Sequence, residues 1–217
     1  MGSAGVEVPT TGRRRTGLVR RGLIDAGVDL ARHGGPSAVV LREATRAVGV
    51  APNAAYRHFA DRDALLAAVC TEAMRQLAER MEAASGAVTH RHGTKSGAIG
   101  RFRAVNAAYL SFALEETGLF DTAFAVPGDI DYADDAAAAG PAGRTPFQLL
   151  NDALDELETA SILPGVRRPG IEYSVWASLH GMAVLLTRGP LRTLASASKN
   201  DLTRSLDHFI LRAVSRD

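Results

Sequence analysis

Residues 56–62 include the side chains of this sequence that are best suited to binding an anion. Tyr56, Arg57 and His58 are consecutive, and Arg62 follows four residues after His58. A phenolic hydroxyl and a guanidinium both donate hydrogen bonds to phosphate oxygens, and arginine is also long enough to reach base edges. At the start of a helix, an arginine lies where the helix dipole attracts anions as well. We therefore predict contact with nucleic-acid phosphates, although His58 can equally hydrogen-bond within the fold.

Two short helical segments precede and overlap these residues and would position them. Residues 39–48 have a helical pattern that Gly49 ends, and Pro52 suits the first position of the next helix, where its missing N–H would be unpaired anyway. Two short helices joined by a glycine turn form a helix-turn-helix, whose second helix lies in the major groove of DNA. At its start Asn53 could pair with adenine and Ala54 could contact a thymine methyl, so we expect sparse reading of the bases.

Helical spacing of apolar residues continues along the chain, and alternating strand patterns are scarce. We predict an all-α protein of about nine helices, at residues 16–33, 39–48, 52–58, 62–84, 98–115, 119–124, 146–161, 169–188 and 199–214. Residues 85–97 are polar, and residues 127–145 are acidic and rich in Ala, Gly and Pro. Both are predicted to be loops, and the second to be mobile.

The net charge of +1 conceals an asymmetry between the two parts of the chain. Residues 1–60 hold nine arginines against four acidic residues, whereas residues 61–217 hold 16 basic and 20 acidic residues. A basic first part on an acidic body indicates a polyanionic partner for the first part alone. A solvated tail would account for Arg13, Arg14 and Arg15 but not for the arginines within helical segments.

The residues that would serve an enzyme, a metal or a redox centre do not form a recognisable set. The sequence lacks the GxSxG, HExxH, P-loop and GxGxxG patterns. His90 and His92 have no cysteine or acid near them in the loop, and the carboxylates Asp121, Asp134 and Asp135 are interpreted as solvated. Cys70 lies in an apolar run and is interpreted as a buried, reduced thiol. We expect no catalytic residues, no metal and no cofactor.

Residues 14–66, and above all LREATRAVGVAPNAAYRHFADRDALL, resemble the TetR family of transcriptional regulators. The resemblance implies that residues 41–48 form the supporting helix and residues 52–58 the recognition helix. It implies phosphate contacts from Tyr56, His58 and Arg62, with Phe59 in the core. Our predicted DNA-binding residues are Arg42, Pro52, Asn53, Ala54, Tyr56, Arg57, His58 and Arg62.

Two positions depart from the usual pattern of that family. Ala51 stands where Ser or Thr is usual, so a side-chain cap worth about 1 kcal/mol is missing. Thr45 stands where a small alanine is usual, which predicts either wider packing or a buried hydroxyl bonded to the backbone.

The later sequence resembles the C-terminal domain of a TetR subgroup marked by a Trp–His–Gly helix, through SVWASLHGMAVL at residues 174–185 and RAVNAAYLSFALEETGLFDTAF earlier. That resemblance implies a dimer interface made by the last two long helices, in which Gly181 permits close approach. We predict interface residues Leu179, Met182, Leu186, Leu206, Phe209 and Ile210. The aromatic residues of this part would line a pocket for an apolar or aromatic effector: Phe102, Tyr109, Phe112, Phe120, Phe124, Phe147 and Trp176, with His180. Each aromatic residue could instead be plain core.

Together these features predict three parts: a flexible basic tail at residues 1–13, a DNA-binding domain at 14–62, and an effector-binding and dimerisation domain at 63–217. We expect a cytoplasmic homodimer, without a membrane partner, that represses from a palindromic double-stranded operator and is released by a small effector. Residues 62–84 would transmit the change, because they join both domains. The alternatives are a dimeric regulator without an effector, and an activator.

Overall fold

The computed structural model describes residues 11–126 and 135–215, with side chains from residue 17 onward. Within these residues the chain forms nine α-helices and no strand, as predicted for an all-α protein. The helices are α1 (Thr11–Gly34), α2 (Leu41–Val48), α3 (Pro52–Ala55), α4 (Arg62–Gly86), α5 (Lys95–Glu115), α6 (Thr117–Ala123), α7 (Pro146–Thr159), α8 (Ile171–Thr187) and α9 (Ser196–Ser215). Of the predicted tail at residues 1–13, residues 1–10 lie outside the described ranges, and residues 11–13 belong to α1.

Three helix bounds differ from the predicted ones for identifiable reasons. α5 begins at Lys95 because the Thr94 hydroxyl caps it, accepting from the N–H of Gly97 at 3.1 Å. α2 begins at Leu41, since Val39 is buried ahead of it and Val40 is extended. The regular part of α3 ends at Ala55, and a hydrogen-bonded turn continues to His58.

α4 is the long central helix of the molecule. The Asp61 carboxylate caps it, accepting from the N–H of Ala64 at 2.8 Å. The first turns of α4 pack against α1, and later turns pack against α5, α6 and α7. Glu72 is almost fully buried at the α1–α4 contact, where Arg21 and Arg75 both pair with it. α4 therefore connects the first three helices to the rest of the protein.

The C-terminal body has its core between α4, α5, α7 and α8. The predicted apolar face of α5 is buried throughout: Phe102, Val105, Tyr109 and Phe112. α7 begins with a complete capping box between Thr145 and Gln148. None of the helices in the described ranges is long and apolar enough to span a bilayer.

The loop predicted at residues 127–145 is only partly described, since residues 127–134 lie outside the described ranges. Residues 135–145 contain a short 3-10 turn that packs on α4. The Glu82 carboxylate accepts a hydrogen bond from the N–H of Ala142 at 3.1 Å. In this second half α4 supplies both a surface and a hydrogen-bond acceptor for the loop, whose mobility stays a prediction.

Candidate functional site

The turn between α2 and α3 has the backbone geometry of a tight helix-turn-helix. Gly49 has φ of 73° and ψ of 29°, a left-handed conformation that glycine adopts without a steric penalty. The Thr45 hydroxyl is buried and donates to the carbonyl of Arg42 at 2.7 Å, which is one of the two predicted outcomes. Ala51 precedes α3 and provides no side-chain cap for it, because alanine has no polar side-chain atom. The local sequence therefore ends α2 and redirects the chain within three residues.

The residues predicted to contact DNA lie on one continuous segment and mostly face solvent. Arg42, Pro52, Asn53 and Arg57 are exposed, and the Tyr56 side chain is 58% exposed. Ala54 and His58 are half-buried, so both present less surface to a partner. Ala55 and Phe59 are buried, and they fix the segment to α1, α2 and α4.

Two arginines near this segment have structural partners that the sequence does not reveal. Arg62 Nη2 donates to the carbonyl of Pro36 at 2.7 Å, which ties the start of α4 to the α1–α2 connection. The Arg62 side chain is still 43% exposed, so it can reach a phosphate as well. The Arg20 guanidinium lies 5.2 Å from the centre of the Phe59 ring, within the range of a cation–π contact. Arg20 therefore adds a positive charge beside Phe59, just after the segment that follows α3.

Six of the eight predicted pocket residues form one cluster of rings in the C-terminal body. Ring centres lie between 4.7 and 6.5 Å apart along successive contacts, several of them edge-to-face. The cluster, which we call the ring cluster, contains Tyr109, Phe120, Phe124, Phe147, Trp176 and His180, and it gains the unpredicted Tyr173. Phe102 and Phe112 lie outside the ring cluster: both are buried, and Phe112 lies under Arg80. Their place in a pocket stays a prediction.

A polar pair lies at the centre of the ring cluster. The Tyr109 hydroxyl and Nδ1 of His180 are 2.9 Å apart, a hydrogen bond between side chains. Burial raises the pKa of Tyr109 above its ordinary value. Burial also lowers the pKa of His180, helped by the positive charge of Arg188 and opposed by Asp121. Both side chains are therefore uncharged near neutral pH.

The predicted dimer residues divide between the core and the surface. Leu179, Leu186 and Ile210 are buried within the subunit, which leaves them little surface for a second subunit. Their role in an interface stays a prediction. Met182 and Leu206 are half-buried against the same core. Phe209 is 64% exposed. The outward face of α8 instead carries residues four apart in sequence, namely Tyr173, Ala177, Gly181 and Leu185.

The remaining titratable residues have mainly structural partners. Cys70 is buried, its thiol donates to the carbonyl of Thr122 at 2.9 Å, and burial raises its pKa to about 11. The tertiary fold brings Glu156 within 3.3 Å of His92, an acid that the loop sequence did not contain, but Arg101 already pairs with it. Within residues 11–126 and 135–215, three or more potential metal ligands do not come together.

Comparison with solved structures places the fold among known regulators. The chain superposes on a TetR-family transcriptional regulator from Pectobacterium atrosepticum with a TM-score of 0.70 and 18% identity, covering 94% of this chain and 98% of that one. A protein of unknown function from Rhodococcus sp. RHA1 gives a TM-score of 0.70 at 24% identity, covering 91% and 96%. A TetR-family regulator from Marinobacter aquaeolei VT8 gives 0.60 at 17%, covering 94% and 100%. At these identities the likeness establishes the fold.

Family models match both parts of the chain, whereas no curated protein matches it significantly. The model described as "Bacterial regulatory proteins, tetR family" matches residues 23–69. The model described as "Tetracyclin repressor-like, C-terminal domain" matches residues 102–211, about half of the chain. It does not name the Trp–His–Gly subgroup, which stays a prediction. The protein belongs to the TetR family, and it is a DNA-binding transcriptional regulator, not an enzyme.

Proposed function

We propose that the protein is a homodimeric repressor that leaves a palindromic operator when a small apolar or aromatic effector binds at the ring cluster. The observation that carries this proposal is the position of α6, which contacts the ring cluster on one side and α1 of the N-terminal part on the other. We also place the protein in the cytoplasm, where bacterial DNA is reached directly.

The exposed segment around α3 supplies the proposed DNA contacts. Asn53 at the start of α3 would read a base, while Tyr56 and Arg57 just after it would hold phosphates, and all three are exposed. The surplus of arginines in residues 1–60 favours the same partner. A dimer would place two such segments about 34 Å apart, which requires two half-sites one helical turn apart.

The outward faces of α8 and α9 support the proposed homodimer. α8 exposes Leu185 and the small residue Gly181, whose Cα has no neighbouring atom in the space a side chain would fill. α9 has an open groove lined by Ser205, His208, Phe209, Arg212 and Ala213. Exposed apolar side chains beside a helix face that permits close approach are typical of a helix-packed interface.

α6 is short and is held on three sides, which is how we propose that effector binding reaches α3. Phe120 of α6 stacks edge-to-face on Tyr109 at 5.6 Å. Two residues earlier, Gly118 lies so close to the end of α1 that a Cβ there would be 2.3 Å from the carbonyl oxygen of Ala31. Cys70 of α4 donates to α6 at Thr122. An effector that displaces Phe120 would therefore move α6 against both α1 and α4, because no flexible side chain separates Gly118 from α1.

The experiment is selection of the preferred DNA site from a random library, followed by measurement of operator affinity with and without apolar aromatic compounds. We expect a palindromic site, binding that weakens steeply with salt, and lower affinity in the presence of a compound that raises Tm. If saturating amounts of every stabilising compound leave operator affinity unchanged, the effector part of the proposal fails. The protein would then be a dimeric regulator without an effector.

Transcription from a reporter that carries the selected site distinguishes repression from activation. We expect expression to rise when the regulator is deleted. A fall would make the protein an activator, and it would leave the proposed DNA contacts intact.

A further inference from the structure

Polar side chains form a continuous chain of hydrogen bonds from α1 across α4 to the start of α6. Its buried end is Glu72 of α4, whose side chain is 7% exposed. Arg21 of α1 donates to both carboxylate oxygens at 3.2 and 3.3 Å, and Arg75 donates to both at 3.1 and 2.7 Å. The amide nitrogen of Gln76 donates to the same carboxylate at 3.1 Å. The charge of Glu72 therefore holds α1 against α4.

Gln76 continues this chain to a second point on α1. Its amide oxygen accepts from Nη2 of Arg32 at 3.0 Å. An amide has a donating end and an accepting end, and here the donating end meets a carboxylate while the accepting end meets a guanidinium. The reverse orientation would place the amide oxygen against Glu72 and the NH2 group against Arg32. Gln76 is therefore held in one orientation by a charged neighbour on each side.

Arg32 is the residue through which the chain of hydrogen bonds reaches α6. Its Nε donates to the carboxylate of Glu116 at 3.2 Å, and its Nη1 donates to Asp29 of α1 at 3.0 Å. Glu116 joins α5 to α6, and Gly118 two residues later lies against the end of α1. α6 therefore meets α1 through an ion pair as well as through its backbone. The side chains that we call the polar relay are Arg21, Glu72, Gln76, Arg32 and Glu116.

The two contacts of the polar relay with α1 lie on one face of that helix. Arg32 follows Arg21 by 11 positions, which is about three helical turns or about 16 Å along the axis. Two attachment points at this separation fix the direction of a helix, whereas a single point would leave it free to pivot. α1 in turn packs against α2 and α3. The direction of α1 therefore determines the direction of the recognition helix.

We propose that Arg32 and Gln76 are positioning residues for operator binding, because through the polar relay they set the tilt of the DNA-binding helices and hence the spacing of half-sites that the dimer accepts. This inference rests on the proposed function, in which a homodimer binds two half-sites one helical turn apart. It adds the residues that determine this spacing. Neither side chain contacts DNA, and each acts through α1.

The two ends of the polar relay differ in how easily they open. The side chains of Arg32 and Glu116 are 36% and 28% exposed, so water can replace each partner when the pair separates. Glu72 is buried, and separating it from its partners would leave a desolvated charge. A hydrogen bond also weakens steeply as its angle falls, so a small rotation of α6 is enough to weaken the exposed pair. The polar relay therefore opens first at α6.

The test makes the same substitution at two adjacent residues of the full chain. Glu116→Gln removes the charge at the α6 end of the polar relay. Glu115→Gln is the matched control, because that carboxylate pairs instead with Arg80 of α4 at 2.7 Å. Gln76→Met keeps the length of the side chain and removes both of its hydrogen bonds. Affinity is titrated for the selected operator and for two derivatives with one base pair added or removed between the half-sites.

The measured quantity is the ratio of affinities for the selected and altered spacings. We expect a ratio of about tenfold for the wild type and for Glu115→Gln, and about threefold for Glu116→Gln and Gln76→Met. The double variant should match the single ones, since both changes break the same relay. A loss of stability alone would lower all three affinities equally and leave the ratio unchanged. An unchanged ratio in Glu116→Gln or in Gln76→Met, or an equal fall in Glu115→Gln, would overturn the proposal.

The same measurements separate this inference from the proposed function. If a palindromic site is selected and every variant keeps the wild-type ratio, the proposed homodimeric operator binding stands and the positioning role fails. If the ratio falls as expected but no stabilising compound releases the operator, the positioning role stands and the effector part of the proposed function fails. A library that yields an unpaired half-site removes both the homodimeric operator and the spacing role.

Discussion

Tyrosine and arginine occur both near α3 and in the C-terminal body, but in opposite surroundings. Tyr56 is 58% exposed and Arg57 faces solvent, whereas Tyr109 is 4% exposed and Arg101 is 5% exposed. Each buried side chain has a fixed partner: Tyr109 hydrogen-bonds to His180, and Arg101 pairs with Glu156. Within the described ranges the structure gives the side chains of Tyr56 and Arg57 no such partner. The first region keeps its polar groups hydrated until a partner arrives. The second has already desolvated them.

The difference teaches how each region can recognise a partner. Exposed cations attract a polyanion over a distance, at little desolvation cost, and salt screens that attraction. The buried, uncharged Tyr109–His180 pair exerts no long-range attraction. It can discriminate strongly between molecules that enter the ring cluster, because a polar atom left unpaired there is costly. Operator binding should therefore depend on salt, and effector binding should not.

The largest expected effect comes from removing the counter-charge of a buried arginine in the body. Glu156→Gln leaves the Arg101 guanidinium without its counter-charge and should lower the free energy of unfolding by about 3 kcal/mol. Glu79→Gln, which removes an acid 53% exposed in its pair with Arg75, is the control and should cost less than about 1 kcal/mol. Urea unfolding measures both. Equal losses of unfolding free energy in the two variants would mean that the Arg101–Glu156 pair contributes no more to stability than the exposed Arg75–Glu79 pair.

The same pair gives a pH dependence with a defined sign. The hydrogen bond from Arg101 lowers the pKa of Glu156 below its ordinary value of 4.5. A lowered carboxyl pKa stabilises the folded protein above pH 4.5, and that contribution is lost as the pH falls through the folded-state pKa. The stability difference between the wild type and Glu156→Gln should therefore shrink below pH 4.5. A difference that stays constant down to pH 3 would contradict this assignment.

A smaller effect should appear at the joint between the two regions. Gly118→Ala places a Cβ against the carbonyl of Ala31 and should cost about 2 kcal/mol, as well as weakening operator binding without effector, because α1 must shift. Gly86→Ala is a matched control at the end of α4, where an added Cβ meets no atom within 4 Å. Thermal unfolding and operator titration check both variants. If Gly118→Ala bound the operator as the wild type does, α6 would not transmit the effector response.

Loss of an exposed cation should affect DNA binding without affecting folding. Arg57→Ala should weaken operator binding about tenfold and reduce the slope of log affinity against log salt by about 0.9, with Tm unchanged. Tyr56→Phe should weaken it less, because one neutral hydrogen bond is lost. The control is Arg91→Ala, since Arg91 follows the far end of α4, about 37 Å along that helix. Unchanged affinity of Arg57→Ala at physiological salt would remove Arg57 from the interface.

The smallest effect has the opposite sign and belongs to Asn106. This residue is 2% exposed, and neither polar atom of its amide has a hydrogen-bond partner among the residues that the structure describes. Asn106→Leu, of similar size, should raise the free energy of unfolding by about 1 kcal/mol, because it removes an unpaired buried amide. Thermal unfolding of the ligand-free protein measures this. A destabilised variant would mean that a partner satisfies the amide.

Sequence patterns determined the helical class, most helix positions and the helix-turn-helix. Those features depend on neighbours close in sequence: Gly49 ends α2, Asp61 caps α4, and the apolar residues of α5 recur at helical spacing. The burial of Phe59 is what the resemblance of this segment to the TetR family implies. Side chains that interact within a few residues of each other leave a pattern in the sequence.

Only the tertiary structure decided which apolar residues face a neighbour inside the subunit and which face solvent. Leu179 and Leu186 pack inward while Leu185 and Gly181 face outward, a distinction that depends on where α5 and α9 lie against α8. Likewise, Phe102 is core and Tyr173 joins the ring cluster. The Tyr109–His180 hydrogen bond joins residues 71 positions apart. Such contacts arise from the packing of whole helices, and local spacing carries no record of them.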